Sequence, residues 1–318
     1  MVRWALAFLL FAAASAVYAA SSKNCSSIPL ATVTLAVDGP ILVPVTLNSH
    51  PVWMILRTEA AMTLIHEDAV DALKLATHSL GKDGLHVAMG GRHITQMASA
   101  GPLFIGGMRI ARTDFFVDPF PRTSEMYEGR PVAGSLAMDV LWPFDFELDL
   151  RSKRLAFYSP NDCGKPALPW ADHSGQIPID LTAVGDIYFT AVIEGKKLET
   201  SIATSVDNSQ IGIDIIRRLP TSGSRSADAN GSDSVASGGV LTKLINLAAG
   251  DLVIPEEIRV TTAAPKACSL SERPDGALGY DGCYGRYPLV LGRNALRKLH
   301  LYFATQEKVI YFTVADAQ

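Results

Sequence analysis

The sequence repeats itself. At a constant offset of 146 residues, Leu47 meets Ile193, Ser49 meets Gly195, Val52 meets Leu198, Leu56 meets Ile202, Thr58 meets Thr204, Thr63 meets Ser209, Ile65 meets Ile211 and Leu73 meets Leu219, with no gap. Farther on, Leu136-Ala137-Met138-Asp139-Val140-Leu141 meets Leu291-Gly292-Arg293-Asn294-Ala295-Leu296 at an offset of 155. The segments that follow keep this second offset: Leu148 meets Phe303, Lys153 meets Lys308, Leu155 meets Ile310 and Phe157 meets Phe312. Self-similarity over so long a period means one supersecondary unit used twice, so the fold must be built from two like halves. A chain of 318 residues has the length for two domains, or two lobes sharing one cleft, at roughly 150 residues each. The change of offset makes the second copy nine residues longer. Residues 220–239, dominated by Ser, Gly, Ala and Asp, can hold that insertion as a solvated loop. Residues 161–176, with Cys163, Pro166, Pro169 and Trp170, read as a linker between a first unit at 20–160 and a second at 177–318.

Each unit is patterned as strands. Residues 41–47 and 52–56 are apolar and β-branched runs separated by Asn48-Ser49-His50-Pro51, which predicts a hairpin. Helical spacing is scarce; the best case is 66–75, where Ala69, Val70, Leu73 and Lys74 share one face of a short helix. The expected class is therefore all-β with short helices. An apolar content of 48% supplies a core. With 28 Lys+Arg against 32 Asp+Glu, and no Lys/Arg-rich run to release counterions from a phosphate backbone, nucleic acid is not an expected partner.

The N-terminus carries Arg3, an apolar stretch from Trp4 to Val17, and then Val17-Tyr18-Ala19. This predicts a secretory signal over residues 1–19 with cleavage before Ala20, leaving a mature net charge of -5. The rival is a membrane anchor, for which fourteen apolar residues fall short of the roughly 20 needed to span a bilayer. A periplasmic or secreted protein with no stable membrane insertion is expected. Export would place Cys25, Cys163, Cys268 and Cys283 where disulfides persist, and their positions favour pairing within each half over the other two connectivities. Zinc is the competing use, but there is no Cys-x-x-Cys and no His-Glu-x-x-His, so neither a metal nor a cofactor is expected. His66, His86 and His93 read as surface or hairpin residues.

These residues together resemble a known family. A hairpin ending in apolar-Xaa-Thr-Xaa-small, a short helix, a Gly-tipped hairpin and a closing apolar segment is similar to a retropepsin-type aspartic peptidase unit. Two in tandem resemble the exported bacterial bilobal members, a simpler version of the pepsin architecture. The most specific stretches are 134–141 (Gly-Ser-Leu-Ala-Met-Asp-Val-Leu) followed by 144–150, and Pro288-Leu289-Val290-Leu291-Gly292. The resemblance spans roughly 30–160 and 177–314. It implies an all-β, bilobal acid-protease fold with two barrel-like lobes, and it implies that the Gly90-Gly91 and Gly238-Gly239 hairpins are flaps over a bound peptide, where the residues alone read as plain surface hairpins.

The family's chemistry needs two carboxylates sharing one proton, because like charges that close cannot both ionise: one activates water and the other polarises the scissile carbonyl. Each comes from an Asp-Thr-Gly triplet. On this chain the triplets fall on Arg57-Thr58-Glu59 and Ala203-Thr204-Ser205, so both aspartates are absent. A guanidinium cannot act as a base, and Ala203 has no titratable atom. Thr58 and Thr204 are expected to hydrogen-bond across the lobe interface, as the family's threonines do. Loss of both glycines questions the tight loop geometry. A cation at the junction must be compensated, which predicts an ion pair of Arg57 with Glu59 or, across the lobes, Asp207.

The resemblance and these substitutions imply a pseudopeptidase whose cleft holds an extended peptide or protein segment, with Arg57, Thr58, Glu59, Gly90, Gly91, Ala203, Thr204, Ser205 and Asp207 as cleft residues. The alternatives are an active endopeptidase using displaced Glu59 and Asp207, and a structural envelope protein with an occluded cleft.

Overall fold

The computed structural model describes residues 28–81, 88–89, 92–118, 120, 125–160, 168–170, 175–182, 185–219, 241–249, 252–261, 269–281 and 286–315. The four cysteines, the segment 1–19, Gly90, Gly91, Gly238, Gly239, the loop 220–239 and most of the linker lie outside them. Among the described residues no helix is long and apolar enough to cross a membrane.

Three large sheets make up the molecule, and the repeat explains their layout. In the first half, Leu42–Leu47 and His50–Leu56 form a hairpin in antiparallel register from Leu42 with Ile55 to Leu47 with His50. In the second half, Ile187–Ile193 and Lys196–Ile202 do the same. The first turn is tighter than the sequence predicts. Only Asn48 and Ser49 turn, both at positive φ (47° and 65°), while His50 and Pro51 already belong to the strand. Glu194 and Gly195 repeat this with φ of 48° and 79°. Paired left-handed residues give the type of turn whose twist matches that of the strands, which pins the hairpin register.

The second member of each hairpin then pairs in parallel with a strand from far along its half. His50–Leu56 pairs with Arg130–Leu136, and Lys196–Ile202 with Leu289–Leu291. That distant strand is flanked antiparallel by Leu64–Ile65 in one half and Ser209–Gly212 in the other. A strand inserted between two segments of an earlier loop places 57–63 and 203–208 at the strand ends, next to each other. The helix expected over 66–75 spans Glu67–Ala72 and buries Ala69 and Val70; Leu73 is buried beyond it, and Lys74, at φ 52°, is exposed and ends the turn. His66 departs from the surface reading. It is buried at the helix start, with Nδ1 3.2 Å from the Val132 carbonyl oxygen.

The third sheet joins the halves. Its six strands run Ala31–Thr34, Arg154–Tyr158, Asp145–Asp149, Leu299–Ala304, Val309–Val314 and Gly175–Pro178. The seam pairs Asp145–Asp149 with Leu299–Ala304, and Phe146 stacks on Phe303 with centroids 4.3 Å apart. Both rings are fully buried in a core that runs through the two halves.

Two glycines sit where no side chain fits. A Cβ on Gly134 would overlap the Leu64 carbonyl oxygen, and one on Gly292 would come 2.6 Å from the Asn208 carbonyl carbon. Backbone cannot swing aside as a flexible side chain can. Gly134→Ala and Gly292→Ala are each expected to cost about 1–3 kcal/mol, read as a lower urea midpoint at unchanged slope.

Candidate functional site

Arg57 and Ala203 are equivalent in position. Arg57 N–H donates to the Leu136 carbonyl at 2.9 Å, and Ala203 N–H donates to the Leu291 carbonyl at 2.9 Å. Leu136 and Leu291 are themselves repeat partners. The loops that follow hang from the same supports: Met138 N–H donates to Ala60 O at 3.0 Å, and Arg293 N–H to Val206 O at 2.9 Å. Asp139 N–H likewise reaches Ala61 O, and Asn294 N–H reaches Asp207 O. Thr63 Oγ1 accepts from Ala137 N–H at 3.0 Å, as Ser209 Oγ accepts from Gly292 N–H at 3.1 Å. The two loops are thus held by matching bonds. The doubt raised by the missing glycines is answered here, since neither Glu59 nor Ser205 has a positive φ and a side chain costs no backbone strain at either position.

Thr58 and Thr204 tie the loops together. Thr204 Oγ1 accepts from Thr58 N–H at 3.1 Å and donates to the Leu56 carbonyl at 2.6 Å. Thr58 Oγ1 donates to the Ile202 carbonyl at 2.8 Å. Both residues are buried, and every one of these bonds crosses between the halves. They are scaffold contacts: with both hydroxyl protons committed to carbonyls, neither threonine is positioned as a nucleophile.

Of the two partners expected for Arg57, Glu59 is the one the structure shows. Arg57 Nε pairs with Glu59 Oε1 at 2.9 Å, with the two side chains 30% and 16% exposed. Asp207 does not approach Arg57. It pairs with Arg293, a buried arginine whose Nη1 also donates to the Thr204 carbonyl at 3.3 Å. The reason is local. Arg293 lies directly after the Gly292 support, and its backbone N–H already holds the same loop, so its side chain reaches Asp207 within one half. Ala203 is buried, and Ser205 is exposed. Asp139, the repeat partner of Asn294, is also an anchor, accepting from Thr63 Oγ1 at 2.6 Å and pairing with Arg112. Asp149 caps its own turn, accepting from Arg151 N–H at 2.9 Å and Ser152 Oγ at 2.6 Å.

One acid at the junction has no sequence signal. Asp186 is tied to Thr182: its N–H donates to Thr182 Oγ1 at 3.0 Å and its carbonyl accepts from Thr182 N–H at 2.9 Å. The preceding Gly185, at φ 95°, places the turn against the first loop, for a Cβ there would lie 3.7 Å from that of Ala61. Asp186 is 5% exposed. Burial, and then the charge of Glu59, push its carboxyl above the ordinary carboxylate range. At an offset of 146 it corresponds to Pro40, so the repeat conceals it.

Beside the Arg293–Asp207 pair, the site holds Arg57, two unequal carboxylates and a bare methyl. Glu59 is fixed by Arg57, and Asp186 sits beside it as an acid that ionises reluctantly. Ala203 supplies neither donor nor acceptor beyond its backbone.

No protein-family model matches the sequence, and no curated protein matches it. Solved structures do. An aspartic proteinase from Irpex lacteus superposes with a TM-score of 0.51 over 90% of this chain and 97% of that chain, at 9% identity. The basic 7S globulin from soybean covers 90% of this chain and 95% of its own at a TM-score of 0.47 and 10% identity. Likeness at such low identity speaks for architecture alone. The inserted parallel strand in each half, the shared six-stranded sheet and the superposition together identify the chain as having the bilobal pepsin-like aspartic proteinase fold.

Proposed function

We propose that this is an exported, non-proteolytic pepsin-like protein whose cleft binds an extended peptide or protein segment. The observation that carries the reading is the pairing at the loop ends: Arg57, engaged by Glu59, faces the role of one acid, and buried Ala203 that of the other. At the Arg57 and Ala203 positions themselves water meets no pair of carboxyls, and a permanent cation opposes the protonated form that one acid must keep. Displaced catalysis through Glu59 and Asp207 loses its support because Arg293 holds Asp207. What the fold retains is strand-edged lobes, on which an extended segment adds main-chain hydrogen bonds while side-chain pockets select.

The test is direct. Purified protein incubated with a denatured protein substrate across acid pH is expected to give no cleavage above that of a heat-inactivated control. Turnover that pepstatin abolishes would overturn the reading. Export is checked separately: the protein recovered from the producing cell should begin at Ala20 and carry two disulfides, one within each half.

A further inference from the structure

The Arg57–Glu59 pair leaves acceptors unused. Glu59 Oε1 is taken by Arg57, but Glu59 Oε2 is buried with no hydrogen-bond partner. Asp186 is more than nine-tenths buried, and among the described residues its hydrogen bonds run through its backbone. The Tyr287 hydroxyl, like Glu59 Oε2, is buried and without a partner among the described residues. It belongs to the second half, where its ring stacks on Tyr188 at 5.9 Å. Backbone packing brings the segments that carry them together: Gly185, next to Asp186, lies against Ala61, two residues from Glu59, and Tyr188, two residues on from Asp186, stacks on Tyr287. Glu59 acts electrostatically on Asp186, and Asp186 on Tyr287, whose hydroxyl is held above its ordinary range by burial, Asp186, Glu199 and Tyr188. With Asp186 ionised, Arg57 offsets one of two carboxylates, and among the described residues no counterion pairs with the other. Buried polar atoms without partners are costly, and a buried charge more so, unless something completes them.

A cation with several N–H donors would complete all three. We propose that Glu59, Asp186 and Tyr287 form a subsite for the cationic side chain, lysine or arginine, of the bound segment. This rests on the peptide-binding reading above and names its specificity. An ammonium offers three donors and a guanidinium five, against three waiting acceptors of net negative charge.

The experiment uses the full mature chain and a set of six-residue extended peptides with Lys, Arg, norleucine or Glu placed at each position in turn. Binding is read by fluorescence polarisation. At one position Lys and Arg are expected to bind about tenfold or more tighter than norleucine, and Glu weaker still. Asp186→Asn should bring Lys and norleucine to within about threefold of each other. This variant removes a charge without removing a hydrogen-bond partner, and it relieves repulsion with Glu59, so its melting temperature should be no lower than that of the parent. Agmatine, a small guanidinium, should raise the melting temperature of the parent and not of Asp186→Asn. Peptides bound without a basic preference, or a preference that survives in Asp186→Asn, would overturn the subsite and leave the peptide-binding reading standing. Agmatine stabilising the parent while no peptide binds would keep the cation subsite and sink the peptide reading. Neither effect would remove both.

Discussion

Glu147→Ala is expected to lower the unfolding free energy by about 3–5 kcal/mol, the usual cost of stranding the partners of a buried charge. Glu147 lies on the seam of the shared sheet with its side chain 3% exposed. Oε1 accepts from His300 Nε2 at 2.8 Å and Arg154 Nε at 3.1 Å, and Oε2 accepts from the Tyr158 hydroxyl at 2.6 Å. His300 comes from the second half, so the carboxylate joins both. Chemical denaturation followed by tryptophan fluorescence reads the loss, and a shift below about 1 kcal/mol would show that the network is replaceable by water. The same network sets a pH signature. Burial alone would raise the Glu147 carboxyl, but the hydrogen bonds from His300 and Tyr158 and the charges of Arg154 and His300 outweigh it and hold the group below its ordinary 4.5. A depressed acid gives stability that is present above 4.5 and is lost as pH falls through the folded value. Tyr158 runs the other way. Burial and the Glu147 carboxylate push it up to about 12, so its contribution is intact below 10 and is lost as pH rises from 10 towards 12. Both edges should soften in Glu147→Ala, which a pH series of melting curves measures.

Thr204→Val should cost about 2–4 kcal/mol while preserving side-chain volume. It leaves the Thr58 N–H and the Leu56 carbonyl without a partner at a buried junction between the halves. Each orphaned backbone group carries its desolvation penalty of about 1–3 kcal/mol, and a methyl returns little. Thr58→Val removes a single bond, to the Ile202 carbonyl, and should cost about half as much. Equal costs for the two variants, read as denaturant midpoints, would contradict the asymmetry between the threonines.

The repeat made the fold legible because the repeated residues are those that close the core. Leu47 and Ile193, Leu56 and Ile202, Ile65 and Ile211 are all buried, and the Thr58–Thr204 pair lies on the junction itself. Arg57 and Ala203 could be placed for the same reason, since their supports Leu136 and Leu291 belong to the second register. What escaped was whatever breaks the symmetry. Offset alignment equates Asp186 with Pro40 and Arg293 with Met138, so neither the reluctant acid nor the arginine that captures Asp207 has a counterpart to betray it. His66 was misjudged because a polar residue before a helix looks solvated until the strand carrying Val132 covers it. The choice between Glu59 and Asp207 as partner of Arg57 turned on which loop Arg293 reaches, a distance no one-dimensional pattern encodes.

Synthesis runs from one end, and that bears on how the six-stranded sheet is completed. Asp145–Asp149 waits for Leu299–Ala304, and Gly175–Pro178 has no neighbour in that sheet until Val309–Val314 emerges. At about 5–20 residues per second the ribosome leaves Phe146 uncovered for roughly 8–30 seconds, with an open strand edge beside it. A nascent chain in this condition is a natural client for holding factors, and a variant in which Val309–Val314 cannot pair would keep the Gly175–Pro178 edge adhesive for its whole lifetime.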